Sequence, residues 1–337
     1  MQLLTTPKSR TPFYRNHLLR DAISQAIYDA MASDDSVHMF GEGASVKAHY
    51  DAPQIERDFG SRVHTLPISE DGNTNFCVGA SLVGVKPIVD VISSDFMYRA
   101  MDSIANTAAK LGALREQQST IVIRAEFLTG GPTTGQHPEA LFAAIPGLRV
   151  AVPSTPRDAY GLMRTALETP GVSLIFEARM IDDEGPWAET DLRLGEPVPF
   201  GVIRCRQQAM HGHVAILTYG IMRQRVERIL KSQPWVQDPH DENNLRADLY
   251  DLRSIYPIEW KGINLALRRA ARLLIVEPDI VYGGVGAEIA AQAHDMRPGV
   301  QVKRLGAPRA VIPASPELHR HLLPSDEEVI SATRAAQ

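Results

Sequence analysis

Apolar positions along the chain follow two repeat lengths in alternation. In residues 17–31 they recur every three or four positions, which predicts an amphipathic helix. Shorter apolar runs, such as residues 36–40 and 86–91, predict buried strands. Helical and strand patterns then alternate through most of the sequence. This alternation predicts an α/β protein with two doubly wound domains, each built on a mainly parallel sheet.

The pattern also divides the chain into segments. Residues 1–14, rich in Thr, Pro and Ser, are expected to form an amino-terminal arm, and residues 15–181 are expected to form the first domain. Residues 182–200 are polar and broken by proline and glycine, which is typical of a linker. Residues 201–337 form the second domain. Its predicted strands are residues 213–218, 248–255, 272–276 and 300–305.

Composition narrows the class of protein. The 337 residues are 44% apolar and carry a formal charge of −5, without a basic run that would follow a phosphate backbone. Nucleic acid is therefore not an expected partner. No apolar run approaches the length of a membrane span, so a soluble, cytoplasmic protein is expected. Cys77 and Cys205 are isolated, which predicts small core residues rather than a disulfide or a zinc site.

One acidic residue lies at a sharp strand-to-helix turn. In residues 66–80, LPISEDGNTNFCVGA, Pro67 and Gly72 mark the turn, and small residues follow it. This arrangement puts Glu70 at the carboxyl end of a strand, where open α/β sheets bind ligands. Taken alone, an acidic residue at a helix start also has a purely structural explanation, because it complements the helix dipole.

Three further segments accompany this turn in a recognisable order. They are DVISSDFMYRAMDSIANTAAK (90–110), GGPTTGQHPEALFAAIPGLRVAVPSTPRDAYGLM (130–163) and VYGGVGAEIAA (281–291). Together with PISEDG, they resemble the beta chain of the thiamine-diphosphate-dependent 2-oxo acid dehydrogenase component, pyruvate or branched-chain type. More broadly, they resemble the transketolase-like family. The resemblance extends from about Arg15 to about Ser331. It implies a pyrimidine-binding domain followed by a transketolase C-terminal-like domain.

The resemblance assigns roles to four residues. Glu70 would hydrogen-bond a ring nitrogen of the cofactor's aminopyrimidine, with Asp71 as the neighbouring rival. Ile68 and Phe96 would contact the same cofactor, Phe96 by stacking, although a Phe at a strand end is otherwise a core residue. His137 would transfer a proton or hold the substrate carboxylate; its structural alternative is a turn histidine bonded to local backbone.

Other motifs have weaker implications. Asp102, Asn106 and Lys110 share one helical face, and Arg253 fits second-domain structure. The GGVGAEIAA run looks like a phosphate-binding loop, but in the resembling family it packs at a subunit interface. Asn73, Asn75, Ser93 and Ser94 are expected to make the cofactor-facing surface more polar than usual.

The sequence lacks part of a complete cofactor site. The family binds the diphosphate and Mg²⁺ through a G-D-G motif with an asparagine further along, and the only near match, Glu70-Asp71-Gly72, is already assigned to the pyrimidine. The resemblance therefore implies a separate alpha-type chain carrying diphosphate and Mg²⁺, with no metal ligand on this chain. It also implies a heterotetramer of two alpha and two beta chains.

Three functions stay open at this point. The first is decarboxylation of a 2-oxo acid with acyl transfer to a lipoyl acceptor, in which a lipoyl-bearing acyltransferase would be a further partner. The second is a two-component transketolase-like or acyloin-forming reaction on a hydroxylated substrate. The third is a non-catalytic assembly subunit. The sequence does not identify the 2-oxo acid.

Overall fold

The computed structural model describes residues 19–42, 52–114, 119–128, 131, 133–178, 195–207, 214–232 and 247–335. The predicted arm (1–14) and residues 182–194 of the predicted linker lie outside this part of the chain. Within it, two mainly parallel sheets are flanked by helices, which confirms the predicted α/β class.

The strands belong to two sheets. In chain order they are β1 (Val37–Gly41), β2 (Val63–Thr65), β3 (Lys86–Ser93), β4 (Thr120–Phe127), β5 (Leu148–Ala151), β6 (Gly171–Ala178), β7 (Arg204–Gln207), β8 (Val214–Thr218), β9 (Ala247–Asp251), β10 (Ser254–Tyr256), β11 (Arg272–Ile280) and β12 (Gln301–Ala307). The larger sheet has the order β10-β5-β6-β4-β3-β1-β2 and the smaller one β12-β11-β8-β9-β7. Only β10 and β7, each at an edge, pair antiparallel among the described strands.

The helices follow the predicted alternation. They are α1 (Leu19–Ser33), α2 (Ala52–Phe59), α3 (Glu70–Leu82), α4 (Ala109–Leu114), α5 (Glu139–Ala143), α6 (Pro156–Glu168), α7 (Gly220–Ser232), α8 (Trp260–Arg269), α9 (Val285–Met296), α10 (Pro316–Arg320) and α11 (Asp326–Ala335). One short π-helical segment, Ser103–Ala108, leads directly into α4. In the described residues, no helix combines the length and apolarity needed to cross a bilayer.

The prediction of one strand over residues 248–255 is wrong. The chain forms β9, turns at Arg253 with a positive φ of 60°, and then forms β10. The Arg253 amide donates to Asp251 Oδ1 at 3.1 Å, which stabilises the turn. As a result β10 leaves the smaller sheet and pairs with β5 of the larger one, with Ser254 opposite Ala151.

A buried ionic network holds the two sheets together beside this crossover. Asp158, at the start of α6, bonds Arg206 of β7 and contacts Nη1 of Arg253 at 3.2 Å. Arg206 Nη2 also donates to Asp251 Oδ2 at 2.8 Å. Burial alone would raise the pKa of Asp158, but the charges of Arg206 and Arg253 outweigh it and lower that pKa. Arg253 is therefore a junction residue as well as a second-domain residue.

Apolar packing is also continuous between the sheets. One hydrophobic cluster includes Ile123 and Phe176 of the larger sheet together with Leu217 and Ile275 of the smaller one. A smaller cluster around Leu249 and Val329 lies under α7 and α11. The loops at the carboxyl ends of the larger sheet are thus held against the second domain by both apolar and charged contacts.

An ion pair lies in the centre of the larger sheet. Arg124 of β4 donates from Nε and Nη2 to the two carboxylate oxygens of Glu177 on β6, each at 2.5 Å. Their side chains are 0% and 2% exposed. A bidentate pair of this kind tolerates burial because each charge is compensated in a fixed geometry.

Candidate functional site

Glu70 is the first residue of α3. The Leu66 amide donates to the Gly41 carbonyl at 3.1 Å, at the end of the extended segment. The Asn73 amide donates to the Ser69 carbonyl at 2.7 Å, which closes the first helical turn. The Glu70 side chain is 8% exposed and accepts no hydrogen bond from the described residues. Its cationic neighbour is Arg99, whose Nε lies 3.4 Å from Oε2. A nearly buried carboxyl without a hydrogen bond is suited to a ligand nitrogen.

Glu42 supports the turn from the opposite side. Its Oε1 accepts from the Ser69 amide at 3.1 Å. Burial, followed by the charge of Glu70, raises the pKa of Glu42. Glu42 therefore fixes the backbone just before Glu70, and two carboxyls share this edge of the sheet.

Apolar side chains flank Glu70 and face solvent. Ile68 is 82% exposed and Phe76 is 57% exposed. Phe76 meets Phe40 edge-on, with ring centroids 5.7 Å apart. Exposed apolar side chains beside a buried acid are typical of a surface that a ligand or a partner covers.

Phe96 lies in a single 3₁₀ turn, Ser94–Tyr98, that follows β3. It is half-buried and packs against the main core. The preceding residue, Asp95, accepts from the amides of Gly135 at 2.9 Å and Gln136 at 3.1 Å. Ser94 Oγ donates to the Gln136 carbonyl at 3.0 Å. The turn that carries Phe96 therefore holds the loop that carries His137.

His137 packs against the end of β4 and the start of α5. Its side chain is 11% exposed and stacks on Phe127 with a centroid distance of 4.1 Å. Its Nδ1 lies 3.2 Å from Oε1 of Glu139. The ring is thus positioned by side chains, which differs from the alternative of a turn histidine bonded to local backbone.

Asp71, the neighbouring acid, has a structural partner. Its Oδ1 accepts from Ser103 Oγ at 2.7 Å, which joins α3 to the π-helical segment. Among Asp102, Asn106 and Lys110, exposed hydrogen bonds of 2.6 Å link each residue to the next. That pattern is typical of a helix surface.

The expected polar cofactor surface is wrong for most of its residues. Asn73 is 8% exposed and donates from Nδ2 to the Pro67 carbonyl at 3.0 Å, so it stabilises the turn. Ser93 and Ser94 are fully buried. Only Asn75 is exposed. Cys77 is buried as expected, whereas Cys205 is exposed.

Sequence reasoning did not identify Glu42, Asp95 and Arg99. Asp95 directly precedes Phe96, in a segment that carries one of the motifs. A short acidic side chain at that position could have been expected to accept hydrogen bonds from backbone amides of a loop. Glu42 and Arg99 are distant from Glu70 in sequence, and no local pattern marks them. Only the parallel pairing of β1 with β2 and β3 brings these segments together.

A buried acid beneath the site gives a pH prediction. Burial raises the pKa of Asp90 on β3 to about 8, and its Oδ1 accepts from the Ile92 amide at 3.0 Å. Folding therefore favours the protonated form. Its stabilising contribution is full below the ordinary pKa of 3.8 and is lost as the pH rises through about 8. We expect Asp90→Asn, which mimics the protonated carboxyl, to remove this dependence.

Denaturant unfolding measures the effect at about pH 5 and about pH 8.5. The variant should gain about 4 kcal/mol relative to the wild type between these two pH values. A pH-independent difference between the two proteins would contradict the assignment of the proton to Asp90. Val89→Ala on the same strand is the control, because it removes apolar volume without changing a titratable group.

The residues present fit the pyrimidine side of a thiamine-type cofactor. A carboxyl free to bond a ring nitrogen, an aromatic ring and an exposed aliphatic side chain lie on adjacent segments. No group of three or more His, Cys, Asp or Glu side chains in the described ranges is arranged to hold a metal ion.

Family models match both halves of the chain. The model for the transketolase pyrimidine-binding domain matches residues 17–181, and the model for the transketolase C-terminal domain matches residues 204–329. A solved structure described as a split-gene transketolase, inactive beta4 tetramer, superposes with a TM-score of 0.77 at 19% identity. It covers 96% of this chain and 98% of that one, which confirms the two-domain fold.

Curated relatives are similar over nearly the full length. The pyruvate dehydrogenase E1 component subunit beta-1 of Arabidopsis thaliana is 29% identical over 99% of this chain and 93% of its own length. The corresponding subunit beta of Rickettsia bellii is 29% identical over 94% and 97%. The acetoin:2,6-dichlorophenolindophenol oxidoreductase subunit beta of Bacillus subtilis is 27% identical over 94% and 95%.

These similarities agree with the arrangement of the chain in two successive α/β sheets. The two family models match the chain in the same order as the two sheets. The range of the first model contains Glu70, Phe96 and His137. The chain therefore belongs to the transketolase-like, thiamine-diphosphate-dependent family, with its pyrimidine-binding domain followed by its C-terminal domain.

Proposed function

We propose that this chain is the beta subunit of a two-chain enzyme that decarboxylates a 2-oxo acid and transfers the acyl group to a lipoyl acceptor. The observation that carries the proposal is the Glu70 carboxyl, which is 8% exposed and accepts no hydrogen bond from the described residues. The curated relatives, which include pyruvate dehydrogenase beta subunits, support the reaction class.

Each site residue has a distinct role in this proposal. Glu70 holds a proton between its carboxyl and a ring nitrogen of the cofactor's pyrimidine, and the low exposure of the carboxyl strengthens that bond. Phe96 and Ile68 orient the ring by stacking and apolar contact. Thiamine diphosphate, when bound against these residues, would supply a nucleophilic carbon. His137 moves a proton at the substrate oxygen or binds the substrate carboxylate.

A partner chain completes the site in this proposal. An alpha-type subunit binds the diphosphate and Mg²⁺, and two copies of each chain form a heterotetramer. The exposure of Ile68 and Phe76 beside Glu70 supports a covering partner, because each apolar side chain gains free energy when it leaves water. A lipoyl-bearing acyltransferase is the proposed further partner, and the cytoplasm is the proposed location.

Reconstitution tests the proposal. The chain is mixed with an alpha-type chain from the same organism, thiamine diphosphate and Mg²⁺. Carbon dioxide release from 2-oxo acids is then measured with an artificial electron acceptor. We expect turnover only when both chains are present. Turnover by the beta chain alone, or none from a well-assembled complex, would contradict the proposal.

A second candidate is a two-component transketolase-like or acyloin-forming enzyme that acts on a hydroxylated substrate. The Bacillus subtilis relative, a subunit of an oxidoreductase that acts on acetoin, favours testing it. The same complex is supplied with a hydroxy ketone or with two sugar phosphates in place of the 2-oxo acid. Turnover of these substrates without carbon dioxide release would favour this candidate over the dehydrogenase component. A stable complex that turns over neither kind of substrate would favour the assembly role.

A further inference from the structure

Glu139 is a buried acid whose carboxyl group contacts the imidazole ring of His137. It is the first residue of α5 and is 0% exposed. Its Oε1 lies 3.2 Å from Nδ1 of His137, while its Oε2 makes no hydrogen bond to the described residues. A carboxyl this deeply buried costs folding free energy unless an interaction compensates it. The imidazole of His137 provides that interaction.

Two further acids, Asp279 and Glu277, and the hydroxyl of Tyr219 lie near Glu139. Burial, followed by the charge of Glu139, raises the pKa of Asp279 on β11 to about 9, so Asp279 carries a proton at neutral pH. Glu277 is paired with Arg304, Nη2 to Oε1, at 2.6 Å. The Tyr219 hydroxyl is fully buried in the same region, and burial raises its pKa well above the ordinary value.

A second histidine faces the same loop from the carboxyl-terminal part of the chain. His319 on α10 is 9% exposed, and its Cε1 lies 3.3 Å from the position of a Cβ at Gly135. Burial, followed by the charge of His137, lowers the pKa of His319. The lowered pKa favours the uncharged form of His319. This ring therefore adds no positive charge that would repel a protonated His137.

We propose that Glu139 is a positioning residue for His137: its carboxylate accepts Nδ1–H and thereby presents Nε2 to the substrate. The inference rests on the proposed site role of His137. Neutral histidine carries one ring proton, so a carboxylate at Nδ1 leaves Nε2 as the acceptor. The carboxylate also stabilises the imidazolium that forms when Nε2 takes a proton. Stacking on Phe127 at 4.1 Å fixes the ring plane.

The tautomer of His137 tests this directly. The full chain is labelled with ¹⁵N-histidine, His137→Asn assigns the His137 signal, and spectra are recorded at about pH 8.5. We expect the Nδ1–H tautomer in the wild type, whereas free histidine prefers Nε2–H. Glu139→Gln should shift the population toward Nε2–H. Asp279→Asn is the matched control, because an amide resembles the protonated carboxyl, and it should leave the Nδ1–H tautomer in place.

The reconstituted complex provides the second readout. Glu139→Gln should lower kcat by roughly tenfold to a hundredfold with KM changed less than about threefold. A wild-type chain in the Nε2–H tautomer would overturn the inference even if the variants failed to fold, and the proposed function would remain. Full turnover by His137→Asn would instead remove His137 from the site and overturn both the inference and the proposed role of His137.

Discussion

Replacing Glu70 with Gln is expected to lower turnover of the reconstituted complex by roughly 10²–10³-fold. The amide keeps the size of the side chain but cannot hold the proton that the carboxyl shares with a ring nitrogen. The Glu70 side chain accepts no hydrogen bond from the described residues, and the substitution keeps the carbonyl that accepts from Thr74 Oγ1, so the variant should assemble normally. Turnover is measured at saturating cofactor, and assembly by size-exclusion chromatography with light scattering.

Asp71→Asn is the matched control for this experiment. Asp71 is adjacent in sequence, but its Oδ1 accepts from Ser103 Oγ, and an amide oxygen can accept the same bond. We expect its turnover to stay within about threefold of the wild type, as for a neutral surface substitution. The reverse ranking, with Asp71→Asn the more damaging change, would assign the chemistry to Asp71.

The second large effect concerns stability. Arg124→Met is expected to reduce the free energy of unfolding by about 3–5 kcal/mol, because it leaves the Glu177 carboxyl buried without its partner. Chemical denaturation followed by circular dichroism measures the loss as a lower midpoint at an unchanged slope.

The double variant Arg124→Met/Glu177→Leu separates charge from packing. Removing both charges together should recover most of the lost stability, to within about 1–2 kcal/mol of the wild type, because apolar residues of similar volume replace buried ion pairs at little cost. If the double variant were as unstable as the single one, packing rather than the unpaired carboxyl would explain the loss. Arg164→Met is a surface control, since Arg164 pairs with Glu168 on the exposed face of α6.

Local patterns predicted most elements near the site. The apolar repeat of residues 17–31 corresponds to α1 at Leu19–Ser33, and the turn at Pro67 leads into α3. These elements form from interactions between residues close in sequence, so periodicity and turn residues are sufficient to find them. Helices α5 and α10 have only five residues each and were not predicted, because so short a helix shows no periodicity.

Side-chain contacts between distant segments could not be predicted in the same way. The motif led to Glu70, Phe96 and His137, but the bonds from Asp95 to the loop amides depend on how β3 and β4 pair. Glu139 is an ordinary helix-start acid in sequence and becomes informative only when its burial is known. The roles of Glu70, Ile68, Phe96 and His137, and the boundaries of the predicted linker, stay predictions.

The crossover of β10 also bears on how this chain can be recombined with relatives. Its first 181 residues, expressed alone, would leave β5 as a bare outer strand whose unsatisfied amides and carbonyls invite aggregation. A chimaera that exchanged only the second half would have to reproduce the pairing of Ser254 with Ala151, so that β10 still covers the edge of β5. The exchangeable module is therefore the pair of domains, inherited or engineered as one piece.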